Sequence, residues 1–308
     1  MLLLTASSDN KTGITTQKLA RVLCAVQLGN KIPTVSQLSE MCSSSRGNVQ
    51  KALSILKDSG AISLEAHGKY GTNLISVNYR ELARICGIKQ LLGMMPLPYT
   101  KRYEGLATSL YTLINGTEFK GFISFSRGSE SRVNSMMSGY CNYCVMSRMA
   151  FDDYAEMGIP LVKVIDCGAE TYVGKHVLIT RNDWTKNWDG MRVGVDESSA
   201  DQRNLTMAYF KGVDTELVPL QYTQIIGMLR NNEIDAGIWN IDDLDTVTDH
   251  LATHDLGPAM AHLGDTSAVI AVKEDDALSA HLLREILNVN VLRDIQQEVM
   301  TGGMMARY

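Results

Sequence analysis

Apolar residues recur along this chain with two alternating periods. The first helical stripe runs through Leu19, Val22, Leu23 and Val26, predicting a helix over Thr15–Leu28. Pro33 can only open an element, and Thr34 followed by Gln37 is a capping box. Val35, Leu38 and Met41 then give a short helix its apolar side. Ser43, Ser44 and Ser45 favour a turn, because their hydroxyls bond nearby backbone. Ser45 is placed to cap a further helix whose stripe is Val49, Ala52, Leu53 and Leu56, and which Gly60 ends. Two short strands, Ala61–Ala66 and Thr72–Val77, flank a His67-Gly68-Lys69-Tyr70-Gly71 tip, the pattern of a β-hairpin. Tyr79–Cys86 reads as a connecting helix, with no Pro/Gly/Ser linker after it.

Beyond Gly87 the period alternates between strand and helix. After an apolar run at Lys89–Pro96, strands are predicted at Phe119–Phe125, Tyr143–Met146, Leu161–Ile165, Met191–Val195, Glu216–Pro219, Ile234–Trp239 and Ala268–Val272. Helices are predicted over Tyr103–Ile114, through Val133 and Met137, over Met149–Met157, through Leu205 and Tyr209, over Tyr222–Leu229, and from the last strand to about Met300. Such alternation argues for an α/β architecture with mostly parallel sheets, in two blocks near residues 89–180 and 185–265. The division is therefore a domain at 1–87 and a second at 88–308. No repeat or low-complexity segment interrupts either.

Charge separates the same two regions. Residues 1–89 hold 11 Lys and Arg against 5 Asp and Glu, whereas the remainder holds 18 against 29. A positive excess confined to the helical module is the footprint of a phosphate-binding end, which the acidic remainder would not share. At the start of the second helix of the helical pair, Arg46, Asn48, Gln50 and Lys51 face outward. Arg grips guanine bidentately and Asn or Gln does the same to adenine, so this helix suits a major groove. Lys69 and Tyr70 at the hairpin tip suit a phosphate backbone, and Thr34 and Ser45 lie at the two helix starts. With no run approaching the roughly 20 apolar residues of a membrane span, and with Met1-Leu2-Leu3-Leu4 short and lacking a basic lead, a soluble cytoplasmic protein is expected.

Residues 33–72 resemble the winged helix-turn-helix of GntR-type bacterial transcription regulators. Pro33, Leu38, Glu40, Ser45, Arg46, Val49, Ala52, Leu53, Leu56 and Gly60 fall, without a gap, where that family keeps those residue types. Ser43 stands in place of the family's turn glycine, Gln50 in place of a frequent arginine, and Lys69 where the tip is often glycine. The two following blocks resemble the type 2 periplasmic-binding-protein fold. That likeness is carried by the strand-end turns Leu97-Pro98-Tyr99, Ser126-Arg127-Gly128-Ser129, Ser147-Arg148 and Asp196-Glu197-Ser198-Ser199, and by Asn232–Trp239. The pairing of head and body resembles the YhfZ group. These resemblances imply a DNA-binding transcription regulator with a two-lobed effector-sensing domain; a homodimer on a pseudo-palindromic duplex is expected because a single head makes too few contacts for operator affinity.

Open α/β sheets bind ligands beyond the carboxyl ends of their strands. Ser126, Ser129, Ser147, Ser198 and Ser199 offer hydroxyls there, and Arg127 and Arg148 offer forks for an oxyanion. Pro98, Tyr99, Tyr222, Trp239 and Asn240 would wall the cleft, so a small anionic metabolite is the expected ligand. Catalysis is not expected. The histidines at 67, 176, 250, 254, 262 and 281 form no evident metal or nucleophile set. The i, i+4 pair His250 and His254 reads, with Asp249 and Asp255, as a solvated helix end. Asp242-Asp243 and Asp275-Asp276 read as turn or capping residues. The cysteines at 24, 42, 86, 141, 144 and 167 include one C-x-x-C without a partner pair, so reduced thiols without metal are expected, and no phosphate-loop or dinucleotide motif implies a cofactor. Two other readings compete: an α/β enzyme of binding-protein fold carrying an autoregulatory DNA-binding head, or an exported solute-binding protein.

Overall fold

The computed structural model describes residues 11–182, 188–242, 251–258, 260 and 263–308. They divide into two compact units, one of residues 1–90 with 274–285, the other of residues 91–273 with 286–308.

The first unit opens with α1 (Lys11–Cys24), four residues earlier at each end than the apolar pattern predicts. Its hydroxyls explain the early start: Thr15 and Thr16 donate to the Lys11 and Thr12 carbonyls and pack inward. Helix α2 (Val35–Met41) begins at Thr34, where the capping box forms as the Thr-x-x-Gln spacing requires. Leu38 and Cys42 are buried here, while Met41, expected to be apolar core, is exposed. Helix α3 (Arg46–Asp58) is capped by Ser45 and buries Val49, Ala52 and Leu56. Between α2 and α3, Ser43 adopts a left-handed backbone, φ 49°. This is the turn geometry that glycine adopts without strain, so the turn is made here against serine's preference. Strands β1 (Ile62–Ala66) and β2 (Thr72–Val77) pair antiparallel with a bulge between Ser63 and Leu64. Gly68–Tyr70 forms one 3₁₀ turn at the hairpin tip. Helix α4 (Tyr79–Ile85) follows.

The second unit is two mixed α/β lobes. In the first, β3 (Gln90–Met95), β4 (Lys120–Phe125), β5 (Tyr143–Ser147), β6 (Leu161–Asp166) and β12 (Ala268–Lys273) lie in the order β4-β3-β5-β12-β6. In the second, β7 (His176–Arg181), β8 (Met191–Val195), β9 (Thr215–Pro219), β10 (Ala236–Asn240) and β11 (Leu251–Asp255) lie in the order β11-β7-β10-β8-β9. Strands β3 and β5 pair parallel, as do β10, β8 and β9. By contrast β12 runs antiparallel to both neighbours, and so does β7. The expectation of mostly parallel sheets is corrected accordingly. Strands β7 and β12 are where the chain passes from one lobe to the other, so neither is fed by a same-sheet helical crossover that would impose parallel direction.

Helices α5 (Lys101–Asn115), α6 (Ser129–Met137), α7 (Arg148–Glu156), α8 (Ala200–Tyr209), α9 (Ile225–Arg230) and α11 (Val289–Met300) cover the sheets. Gly93 of β3 faces Tyr143 of β5, and a Cβ there would lie 2.2 Å from the buried phenol ring, so only glycine admits that ring. The lobes also pack on each other through α7 and α8. Met149 of α7 joins Leu178, Val193 and Leu205 of the second lobe, and Arg203 of α8 pairs with Asp153 of α7 at 2.8 Å.

Helix α10 (Ala277–Ile286), placed by the division at residue 87 in the second domain, groups instead with the first unit through residue 285. There His281 stacks on Tyr79 with ring centroids 4.0 Å apart, and Glu285 accepts from Arg80 at 2.6 Å. The chain thus leaves the second unit after β12 and returns to it for α11.

Candidate functional site

In the first unit the helical turn is braced from behind. Lys18 donates to the Cys42 carbonyl at 3.2 Å, and the Thr15 and Ser44 hydroxyls meet at 2.7 Å. Lys18 is therefore part of the brace. The Thr34 and Ser45 hydroxyls are engaged in capping, Thr34 with Gln37 and Ser45 with the Asn48 amide at 3.3 Å. With the α3 stripe pinned inward, Arg46, Gln50 and Lys51 are exposed and Asn48 half-buried on one outer face. Lys69 and Tyr70 are exposed at the hairpin tip, with the ammonium 5.2 Å from the ring centroid.

In the second unit a cavity of about 270 Å³ opens where the carboxyl ends of the strands meet. Its wall comes from the turns after β3, β4, β8, β9 and β10. Of the predicted residues, Tyr99, Ser126, Arg127, Ser129, Ser198, Ser199, Tyr222 and Asn240 line it. Pro98, Ser147, Arg148 and Trp239 do not. Ser147 is buried, capping α7 through the Ala150 amide and donating to Asp201. Arg148 lies 3.6 Å from Asp166 rather than forking into the cleft. Trp239 is buried behind Tyr222, the rings stacked 4.3 Å apart and 2° from parallel. Tyr222 is held from three sides: by that stack, by its amide donating to Asp196 at 2.8 Å, and by its hydroxyl accepting from the Asn240 amide at 2.8 Å.

The lining is chemically bipolar. Two helices from opposite lobes, α6 and α8, start at the cavity, and neither has a side-chain cap at Gly128 or Ser199. Their first N–H groups and positive dipole ends favour an anion. Beside them sits Arg132, only 3% exposed, donating to the Val145 carbonyl at 2.9 Å, the Ser126 carbonyl at 3.0 Å and the Tyr172 hydroxyl at 3.0 Å. Asp196 and Asp201 line the same cavity, Asp201 within the first turn of α8. Burial pushes the Asp201 carboxyl up to about 6, against the opposing pull of His176, the Ser147 hydroxyl and Arg132. His176 meets Asp265 through Nδ1 at 2.6 Å, both side chains buried.

At Gly128 the two lobes approach each other closely beside this cavity. Its φ is +69°, and a Cβ would lie 2.8 Å from the Ser198 carbonyl oxygen. Gly128→Ala meets a backbone atom and a disfavoured dihedral together, which should remove about 1–3 kcal/mol. The expected result is a melting temperature lower by several degrees; an unchanged melt would show that the lobes do not approach this closely in solution.

Residues 78–308 match the YhfZ C-terminal domain, and residues 27–74 match a helix-turn-helix domain. The chain belongs to the YhfZ family. It is 34% identical over 300 residues to the uncharacterized protein YhfZ of Escherichia coli (strain K12), covering 97% of this chain and 98% of that one. The crystal structure of YhfZ from Shigella flexneri is similar at 32% identity and TM-score 0.63, over 72% of this chain and 94% of that one. At fold level the family shares its two-lobed body with periplasmic binding proteins. The aliphatic sulphonate binding protein SsuA of Escherichia coli matches at TM-score 0.52 and 12% identity, over 70% of this chain and 75% of that one. The VFT2 domain of Bordetella pertussis BvgS matches at TM-score 0.51 and 14% identity, over 72% and 98%.

Sequence reasoning missed Arg132, Tyr103, Tyr172, His176, Asp196, Asp201 and Gln202 of this YhfZ-family cavity. One signal was available for Arg132, a cation beside Val133 within the buried side of α6. The others are distant in sequence and converge only through the crossovers between lobes. His254 lies on strand β11 with Nε2 2.9 Å from the Thr180 hydroxyl, not at a helix end, and His250, His262, Asp243 and Asp249 lie outside the described residues. Asp242, read as a turn residue, pairs with Arg102 at 2.8 and 3.0 Å. Asp276 does cap, accepting from the Ser279 amide at 3.1 Å. Among the described residues no group of three or more His, Cys, Asp or Glu side chains is arranged to hold a metal, and no helix is long and apolar enough to cross a membrane.

Proposed function

We propose that this chain is a cytoplasmic, DNA-binding transcription regulator whose second unit senses a small metabolite with an anionic group. The observation that carries the reading is the outer face of α3. Arg46, Gln50 and Lys51 are exposed there, with Asn48 half-buried at its edge, on a helix whose roll is fixed by Val49, Ala52 and Leu56. Burial of that stripe turns the exposed side chains outward, and side chains of these types read base edges and phosphates in a major groove. In this reading the head is of GntR type, Lys69 and Tyr70 touch the backbone beside the groove, and two copies bind a two-fold related pair of half-sites, since one head makes too few contacts for operator affinity.

The body is read as a sensor rather than an enzyme. Its cavity offers uncapped helix ends and a buried guanidinium, groups that hold a ligand's charge, while His176 is engaged with Asp265 and Ser147 with Asp201. Selection of bound duplexes from a random pool, with and without a metabolite mixture, tests both halves. A recurrent two-fold motif should emerge, its recovery should change with the mixture, and affinity should fall steeply with salt as counterions are released. Failure to retain any duplex at low ionic strength would reject the regulator reading.

A further inference from the structure

A cavity built for a simple anion has no use for buried carboxylates, yet two line this one. Asp196 is accounted for by the fold: Oδ1 accepts from the Ser198 amide at 2.9 Å and hydroxyl at 2.6 Å, and Oδ2 from the Tyr222 amide at 2.8 Å. Asp201 is only partly so: it lies in the first turn of α8, its Oδ1 accepts from Ser147, and the charges of His176 and Arg132 act on it, yet among the described residues no hydrogen bond engages Oδ2 and no cation lies within ion-pair distance. A carboxylate buried with one oxygen unanswered is unfavourable. Asparagine would keep the Ser147 bond without the charge.

The surroundings of Asp201 suit a cation. Tyr103 and Tyr172, both buried, line the same cavity with Tyr99, and their rings meet edge to face at 5.3 and 5.9 Å. Aromatic faces attract ammonium groups, more strongly where water is excluded. Arg132, which donates to the Tyr172 hydroxyl, spends three donors on neutral acceptors, leaving two of a guanidinium's five N–H groups. No hydrogen bond or ion pair engages the Arg127 side chain among the described residues, and it lines the cavity with the ends of α6 and α8.

We propose that the ligand is a zwitterion, with a primary ammonium on the Asp201 carboxylate among the tyrosines and a carboxylate or phosphonate at Arg132, Arg127 and the N-terminal end of α6. The proposal rests on reading the cavity as the effector site, and narrows that reading from anions to compounds carrying both charges. A purely anionic ligand would bring a like charge to Asp201; a purely cationic one would leave Arg127 and the α6 end unanswered.

The test uses the full chain and three matched panels: the common α-amino acids with short aminoalkylphosphonates, the corresponding hydroxy acids and alkylphosphonates, and the corresponding amines. Thermal shift finds binders and calorimetry measures them. At least one zwitterion should bind, with its hydroxy counterpart weaker by at least about 10-fold, the loss expected for an unpaired buried charge. Asp201→Asn should erase that difference, while Arg127→Ala should weaken the zwitterion and its hydroxy counterpart by similar factors. A hydroxy acid binding as tightly as its amino acid, or a preference that survives Asp201→Asn, overturns the zwitterion and leaves the anion-sensor reading standing. No response to any panel overturns both.

Discussion

Arg46→Ala lowers affinity for the selected duplex by about 10- to 100-fold, the range expected when one bidentate base contact is removed. The residue begins α3 and is exposed, so its loss leaves the buried stripe intact and the melting curve nearly unchanged. The companion substitution Lys51→Ala separates two roles on the same face. If Lys51 holds phosphate, binding weakens alike on selected and scrambled duplexes, and the salt slope falls by about one. Arg46→Ala should instead relax preference at one base position per half-site. Titration by fluorescence anisotropy on selected and scrambled duplexes distinguishes the two. Retention of wild-type affinity and preference by Arg46→Ala would remove α3 as the reading helix, and with it the central support for a regulator.

The second large effect is a gain in stability. Asp201→Asn should raise the melting temperature at pH 7, because the carboxylate is held charged against its burial. The sign follows from the direction of the shift. The acid stands at about 6 in the folded chain against 3.8 as its ordinary value, so folding disfavours the ionised form. Below about pH 4 the group is protonated in both states and contributes no penalty. As pH rises through 6 the penalty grows to its full size, up to about 3 kcal/mol at 1.36 kcal/mol per unit. The variant should therefore exceed wild type by several degrees at pH 7, with the gap closing toward pH 4. His176, Asp265, Arg132 and Ser147 face the same carboxyl and would shift the midpoint without reversing the trend. A variant less stable than wild type at every pH would show Asp201 to be a structural acceptor alone. A buried group kept against the fold's own stability is a feature of many binding sites, where function opposes stability.

Much of the first unit is legible from short-range chemistry. The capping box at Thr34, the cap at Ser45 and the stripe Val49, Ala52 and Leu56 are local signals, each satisfied within a turn or two of helix. The hairpin and its glycine-bounded tip follow the same logic. Most strands and helices of the second unit also lie where the alternating periods put them. The exceptions are β7 and β11. Strand β7 was absorbed into the wrong block, since nothing in His176–Arg181 marks a passage between lobes, and β11 carries too little apolar pattern to stand out on an edge.

The amino-acid order by itself determined the elements, the cationic head and acidic body, and the outward face of α3, because each depends on residues a few positions apart. Tertiary structure alone decided that α10 joins the first unit, that Arg148 and Trp239 turn away from the cleft, and that Arg132 and Asp201 share one cavity. Those outcomes depend on how crossovers bring distant segments together, and periodicity carries information only along the chain.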